Sequence, residues 1–283
     1  MGEKDDEEKM TSSTTMLMVY SFIFIVYYLL RFFLVDNYSL KDKSSILSIP
    51  LTLLAFLLIT LFQMTTNFKN TKVLCGSVQF SSAVLYTVLP MVLIMGGLSV
   101  CMGLFPGWKA PFSNTLGYGV TMMLGIQTVF NNMLKTNAGD NKLLQKVVQD
   151  KSILINLMTP GKNGTFNKVM EQLSGGTAQS GGAMDLAEGV SNVVTEGNGI
   201  FNTQYKDYES QLYNLVLIKD YIAEFTWLIL AGFLTIQTSF NQLVGIECKK
   251  SEAQLEKSMG DFETKSKRDA KNVEKPKKFK VFD

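Results

Sequence analysis

Met16-Leu-Met-Val-Tyr-Ser-Phe-Ile-Phe-Ile-Val-Tyr-Tyr-Leu-Leu-Arg-Phe-Phe-Leu-Val35 is a run of 20 residues broken by a single charge, Arg31. At 1.5 Å per residue, about 20 helical residues cross the roughly 30 Å hydrocarbon layer of a bilayer. The run therefore reads as a spanning helix. Arg31 lies one turn from its end, where a long side chain snorkels to the headgroups. Tyr27, Tyr28 and Tyr38 suit an interfacial aromatic belt.

Outward from this run the pattern repeats. Residues 45–64 are uncharged and follow a short loop, with Pro50 in the opening turn, where a missing N–H costs little. Residues 81–105 are also uncharged and contain Pro90 and Gly96-Gly97, which predict a kink. Residues 112–134 are uncharged but more polar. Gly117, Thr121 and Gly125 recur there every four residues, the small-residue seam that lets helices approach closely, which favours a packed fourth span over a re-entrant segment. A helical pattern resumes near Gln204 and turns uniformly apolar over 225–244, where Ala231, Thr235 and Ser239 form a second seam. The fold expected is an all-α membrane protein of four to five transmembrane helices. It is organised as an acidic tail (1–15), a membrane domain (16–134), a polar, partly helical and Gly-rich segment (135–210), a helix ending in the last span (211–246) and a charged tail (247–283).

The wet parts carry their own signals. Residues 135–210 hold seven Lys and eight Asp/Glu and read as water-exposed. Asp140 is placed to cap a helix whose Leu143, Leu144, Val147, Val148, Leu154, Ile155 and Met158 form an apolar stripe that wants a partner face. Pro160-Gly161 stops it. Nine glycines between Gly161 and Gly199 predict a flexible loop with little core, and neither they nor GKNGT match a phosphate loop. The basic stretch from Lys265 to Lys280 is suited to a polyanion or acidic lipid heads. Lys219, Asp220 and Glu224, just before the last apolar run, read as a solvated helix surface. Sequons stand at Asn37 and Asn163.

Chemistry is narrowed by what the 283 residues lack. There is no histidine, which removes Ser-His-Asp and Cys-His catalysis, and Cys75, Cys101 and Cys248 lie far apart without a CxxC pair, which removes the usual zinc site. All three cysteines are expected to be small apolar fillers. A net charge of +2 announces no nucleic-acid binder. The acidic start disfavours a cleavable signal, and Asp6 stands where a myristoylation motif wants Ser or Thr. No catalytic, cofactor or metal site is expected, and no small-molecule substrate.

The string Phe105-Pro-Gly-Trp-Lys-Ala-Pro-Phe-Ser-Asn-Thr-Leu-Gly-Tyr118 resembles one found in multispan membrane-embedded minor capsid and virion membrane proteins of large icosahedral double-stranded DNA viruses, the nucleocytoplasmic type. It covers about a tenth of the chain. The shared positions are Pro106, Gly107, Trp108, Pro111, Phe112, Asn114 and Gly117, with Lys109 and Tyr118 as variable filler. The resemblance implies a structural role, fastening the capsid shell to an internal lipid membrane, with major or minor capsid proteins as partners. It carries over no catalytic residue. A channel or transporter, motivated by Arg31, the glycine-broken third stretch and the polar fourth one, and an entry or fusion factor of the same virion stay open beside it.

Overall fold

The computed structural model describes residues 10–40, 47–135, 145, 150–161, 164–174, 199–248, 259–260 and 262–268. Leu143, Leu144, Val147, Val148, Asp140, Asn163, most of both tails and the densest glycines lie outside them. Three helices are long and apolar enough to cross a membrane: α1 (Ser13–Asp36), α2 (Ser48–Cys75) and α3 (Phe80–Leu104). The described residues are mostly helical and form no strand.

Local chemistry sets the helix ends. Ser12 caps α1 by accepting from the Thr15 backbone N–H at 3.2 Å. Gly76 ends α2 with φ +69°, a left-handed conformation that costs glycine little. In α3 the expected irregularity falls where Pro90 removes an N–H: the next residues, Met91–Gly96, widen into a π-type turn. After a 3₁₀ turn at Pro106–Lys109 comes α4 (residues 110–123), itself widened at Ser113–Gly117, and then α5 (Ile126–Met133). Short helices α6 (Ser152–Leu157) and α7 (Phe166–Ser174) precede α8 (Tyr205–Val244), an unbroken helix of 40 residues.

Side-chain contacts fix the directions. Tyr27 meets Thr52, Tyr20 donates to Gln63 Oε1, and the Thr11 N–H donates to Asn70 Oδ1, so α1 and α2 run antiparallel. Asn67 donates to Ser239 Oγ at 2.9 Å and Cys75 is joined to Cys248. The sequence separations there are 172 and 173, so α2 and the second half of α8 run parallel at a nearly constant offset. Asn67 also donates to Thr87 of α3 at 2.7 Å, while Trp108, just past α3, accepts at its carbonyl from Trp227 Nε1 at 2.9 Å. Thus α1 and α3 point one way, α2 and α8 the other, in a four-helix up-down bundle.

The first half of α8 leaves this bundle and carries the continuation of the same hydrophobic core. Phe130, Met133, Leu154, Ile155, Met158, Phe166, Leu173, Phe201, Leu212 and Val216 are all buried in it. Backbone bonds from Lys135 N to Ile200 O (3.0 Å) and Asn202 N to Met133 O (2.8 Å) close its far end.

Four expectations are corrected. Cys75 and Cys248 are disulfide-bonded, not fillers, and only Cys101 is a free, half-buried thiol; distance along the chain is no guide once two helices run parallel. Within 135–210, the described stretches 151–161, 164–174 and 199–204 pack beside α8 and contribute to a core, so this region is not simply water-exposed. The glycine-rich region includes a helix, α7, with Phe166, Val169, Met170 and Leu173 buried. The three helices long and apolar enough to cross a membrane include neither residues 112–134 nor the 225–244 part of α8; residues 112–134 are bent at 113–117 and at Gly125 (φ +87°), and they lie along the part of α8 that leaves the bundle.

Cys248→Ser is expected to lower the unfolding free energy of detergent-solubilised protein by about 2–4 kcal/mol. Chemical denaturation of both forms, with and without reductant, measures it; equal stability in all four samples contradicts the staple.

Candidate functional site

Where α1, α3 and α8 come level at the end of the bundle opposite the disulfide, five charges are gathered. The end of α1 supplies Arg31 and Asp36, the turn after α3 supplies Lys109, and α8 supplies Asp220 and Glu224. Arg31 Nε lies 2.6 Å from Asp36 Oδ2, and its Nη1 lies 3.1 Å from Glu224 Oε2. Lys109 Nζ lies 2.5 Å from Asp220 Oδ2 and 3.1 Å from Glu224 Oε1. Glu224 is the hub, with one oxygen on each cation. Tyr221 donates to Asp36 at 2.6 Å, Tyr28 donates to Glu224 at 3.4 Å, and the Arg31 guanidinium stands 5.2 Å over the Tyr221 ring. None of the five side chains exceeds 25% exposure.

Electrostatics explains why these groups converge. An unpaired charge taken out of water costs several kcal/mol, and pairing recovers this only with good geometry and further hydrogen bonds. Here three carboxylates share two cations, with tyrosine hydroxyls taking remaining acceptor positions. Burial works to pull the Lys109 ammonium below its ordinary pKa, but Glu224 and Asp220 outweigh it and hold the group above that value. Among the described residues, no group of three or more Asp, Glu, Cys or His side chains is placed to hold a metal ion. The chemistry available is ion pairing that fixes helices to one another.

Several expectations change here. Lys219, Asp220 and Glu224 are not a solvated surface: Lys219 is 1% exposed and the two acids belong to the cage. Arg31 does not snorkel to solvent but binds Glu224. Lys109, a variable filler position in the turn string, is the second cation. Tyr27 and Tyr28 are buried, not arrayed as a belt. The signal was present in the positions: Arg31, Asp36 and Lys109 each stand at the end of an apolar run, and charges so placed need partners from elsewhere in the fold.

Lys219 forms a separate strut. Its Nζ donates to the Ile155 carbonyl at 2.8 Å, tying α8 to α6, and burial lowers its pKa to about 8 against the opposing pull of Asp220. Gly117 of α4 presses on the same place, where an added Cβ would collide with the Lys219 carbonyl oxygen.

The other expected positions are dispersed. Pro106, Gly107 and Trp108 form the exposed 3₁₀ turn, Pro111 is exposed, Phe112 meets Trp227 edge-on at 5.0 Å, and Asn114 is half-buried. In the first seam Gly117 and Thr121 are buried, whereas Gly125 is half-buried between two helices, with nothing within 4 Å of where a Cβ would stand. In the second, Ala231, Thr235 and Ser239 are all buried, and the neighbouring Gly232 lies 3.0 Å, measured from an added Cβ, from the Tyr20 ring. Leu154, Ile155 and Met158 of the expected partner-facing stripe are covered by the protein's own core, which corrects that reading.

Sequence reasoning also missed a polar seam inside the bundle. Gln63, Asn67 and Asn70 of α2 are fully buried, and the 172-residue offset of Asn67 and Ser239 sets Gln63 level with Thr235 and Asn70 level with Gln242. The middle rung is bonded directly. On the outer rungs, Gln63 Nε2 and Asn70 Nδ2 are buried donors, and Thr235 Oγ1 and Gln242 Oε1 buried oxygens, without a partner among the described residues. Polar side chains at this spacing choose the register of two parallel helices more than they stabilise them.

No protein-family model matches the chain, and no curated protein or solved structure matches it.

Two measurements probe the site. Arg31→Met leaves three carboxylates with one cation and is expected to cost up to about 3–5 kcal/mol. Glu224→Gln leaves each cation one carboxylate and is expected to cost about 1–3 kcal/mol. Chemical denaturation of both variants gives the order, and the reverse order contradicts the cage. For Lys219, the folded pKa near 8 lies below the ordinary value of about 10.4. The unfolded chain therefore binds more protons between these values, and stability rises with pH across that window. Lys109, held above its ordinary value, acts only beyond it. Lys219→Met is expected to flatten the rise; an unchanged profile contradicts the assignment.

Proposed function

We propose that this chain is a structural membrane protein of a virion, a minor capsid component that anchors the protein shell to the internal lipid membrane beneath it. In this reading α1, α2, α3 and the 225–244 part of α8 cross the bilayer as four spans. The charge cage and the paired Trp108 and Trp227 lie at one headgroup level, and the disulfide lies towards the other. Both chain ends then emerge on the disulfide side. The helical head built on the first half of α8 stands on the opposite side.

The observation that carries the reading is continuity. One unbroken helix runs from the head through the bundle, and the bundle is pinned at one end by the cage and at the other by the disulfide. Such a part transmits position from membrane to head without a hinge. The turn string at 105–118 supports the virion assignment by its resemblance. Its partners are the bilayer and a major or minor capsid protein meeting the head, with the basic tail near Lys265 to Lys280 available to acidic lipid or another polyanion.

A channel or transporter is the second reading, favoured by the buried polar seam of Gln63, Asn67 and Asn70. Against it, each of the five cage charges is already paired. Purified particles are expected to contain the chain in fixed proportion to the shell protein and to lose it together with lipid on detergent treatment. Proteoliposomes are expected to be silent in conductance and flux. Recovery from host membranes alone, or steady conductance, contradicts the proposal.

A further inference from the structure

Beside the cage, α1 and α8 part to leave a cleft of about 420 Å³. Tyr28, Phe32 and Tyr221 are its deeper walls, with the Tyr28 and Tyr221 rings 5.0 Å apart. Ile25, Leu29 and Phe33 of α1 form an exposed rim, with Ile222 of α8 facing them. Every lining side chain is apolar or a tyrosine, and the two tyrosine hydroxyls turn away, to Glu224 and to Asp36.

We propose that this cleft is a lipid site that holds one acyl chain of a bilayer phospholipid, recognised by its hydrocarbon and not by its headgroup. The proposal rests on the membrane reading above. The rim residues continue the exposed apolar face of α1, which Met18 and Phe22 extend, so the cleft opens onto whatever that face meets. In the reading above, Ile25, Leu29 and Phe225 at its lower end meet hydrocarbon, while Ile218 and Ile222 stand level with the cage at the headgroups, so a chain enters from the bilayer side. Size agrees: apolar ligand clefts run to about 300–1,000 Å³, whereas a helix with its side chains is about 10–12 Å across and does not seat in one this small. Charge sets the headgroup rule. Arg31, on the α1 side of the cleft, is already bound to Asp36 and Glu224, Lys219 is buried on the Ile155 carbonyl, and the cage holds three carboxylates against two cations, which offers an anionic headgroup no free cation.

A chain in this cleft also covers the backs of Tyr28 and Tyr221, the two rings whose hydroxyls complete the cage. Occupancy and cage geometry are therefore coupled through the same side chains.

The test uses the full-length chain reconstituted into nanodiscs of phosphatidylcholine, alone or mixed with phosphatidylglycerol, then extracted into mild detergent for native mass spectrometry. Wild type is expected to retain one phospholipid per chain, equally from both lipids. Leu29→Trp, with Ile222→Trp as a second variant in case the first misfolds, fills the cleft and is expected to reduce retention by about tenfold. Retention of the Cys75–Cys248 bond on non-reducing gels certifies the fold of each variant. Folded wild type without lipid overturns the proposal, as does undiminished retention in a folded filled variant. A marked preference for the anionic lipid, or a dimer formed through the cleft in place of lipid, overturns it too. A chain that fails to enter nanodiscs at all overturns the membrane reading itself, which separates the two failures.

Discussion

Glu224 has one oxygen on Arg31 and the other on Lys109, and through these two contacts it joins three parts of the chain that are far apart in sequence. The arrangement follows from a constraint. Charges at the ends of apolar helices either stay in water or find one another, and in a packed bundle only the second choice lets the helices close. Once Arg31 and Lys109 are both committed to α8, the end of α1 and the turn after α3 have one place to be. Asp36 and Asp220 then take the remaining hydrogen-bonding capacity of the cations, and Tyr28 and Tyr221 take that of the carboxylates.

At the other end of the bundle the work is done by a different kind of contact. The rungs formed by α2 and α8 are polar but uncharged, and the disulfide lies one to two turns beyond them at almost the same offset. Neutral polar groups buried among helices contribute modestly each, yet a shift of one residue in register would mismatch all of them together. Ion pairing thus sets how α1, α3 and α8 meet, while the seam and the disulfide set how far along α8 the second helix sits. Between them α8 has little freedom to slide or tilt, which is what a mount for the outlying head requires.

Much of the architecture was legible in the amino-acid order, because length and absence of charge are local properties. The three long apolar runs, the disturbance at Pro90 and the resumption of helix near Gln204 all follow from windows of about 20 residues. What was illegible is what depends on pairs. No window containing Arg31 includes Glu224, and none containing Cys75 includes Cys248. Read alone, Lys219 and Asp220 look like ordinary helix surface. The stripe of Leu154, Ile155 and Met158 was visible as apolar, but not as covered from within, since its cover comes from residues more than 40 positions away on α8 and from Phe130 and Phe201. Gly125 failed as a seam residue for a local reason: a left-handed glycine ends a helix and so cannot continue a helical repeat.

We propose above that the four-helix bundle crosses the bilayer with its head on one side and both chain ends on the other. Sealed vesicles holding the full chain, with epitopes near Met10 and after Arg268 and a third in the head, probed by an impermeant protease from outside, test it directly. The account requires the two terminal epitopes to be cut or spared together, with the head behaving oppositely. Termini that differ from each other, or a head that shares their fate, would contradict it.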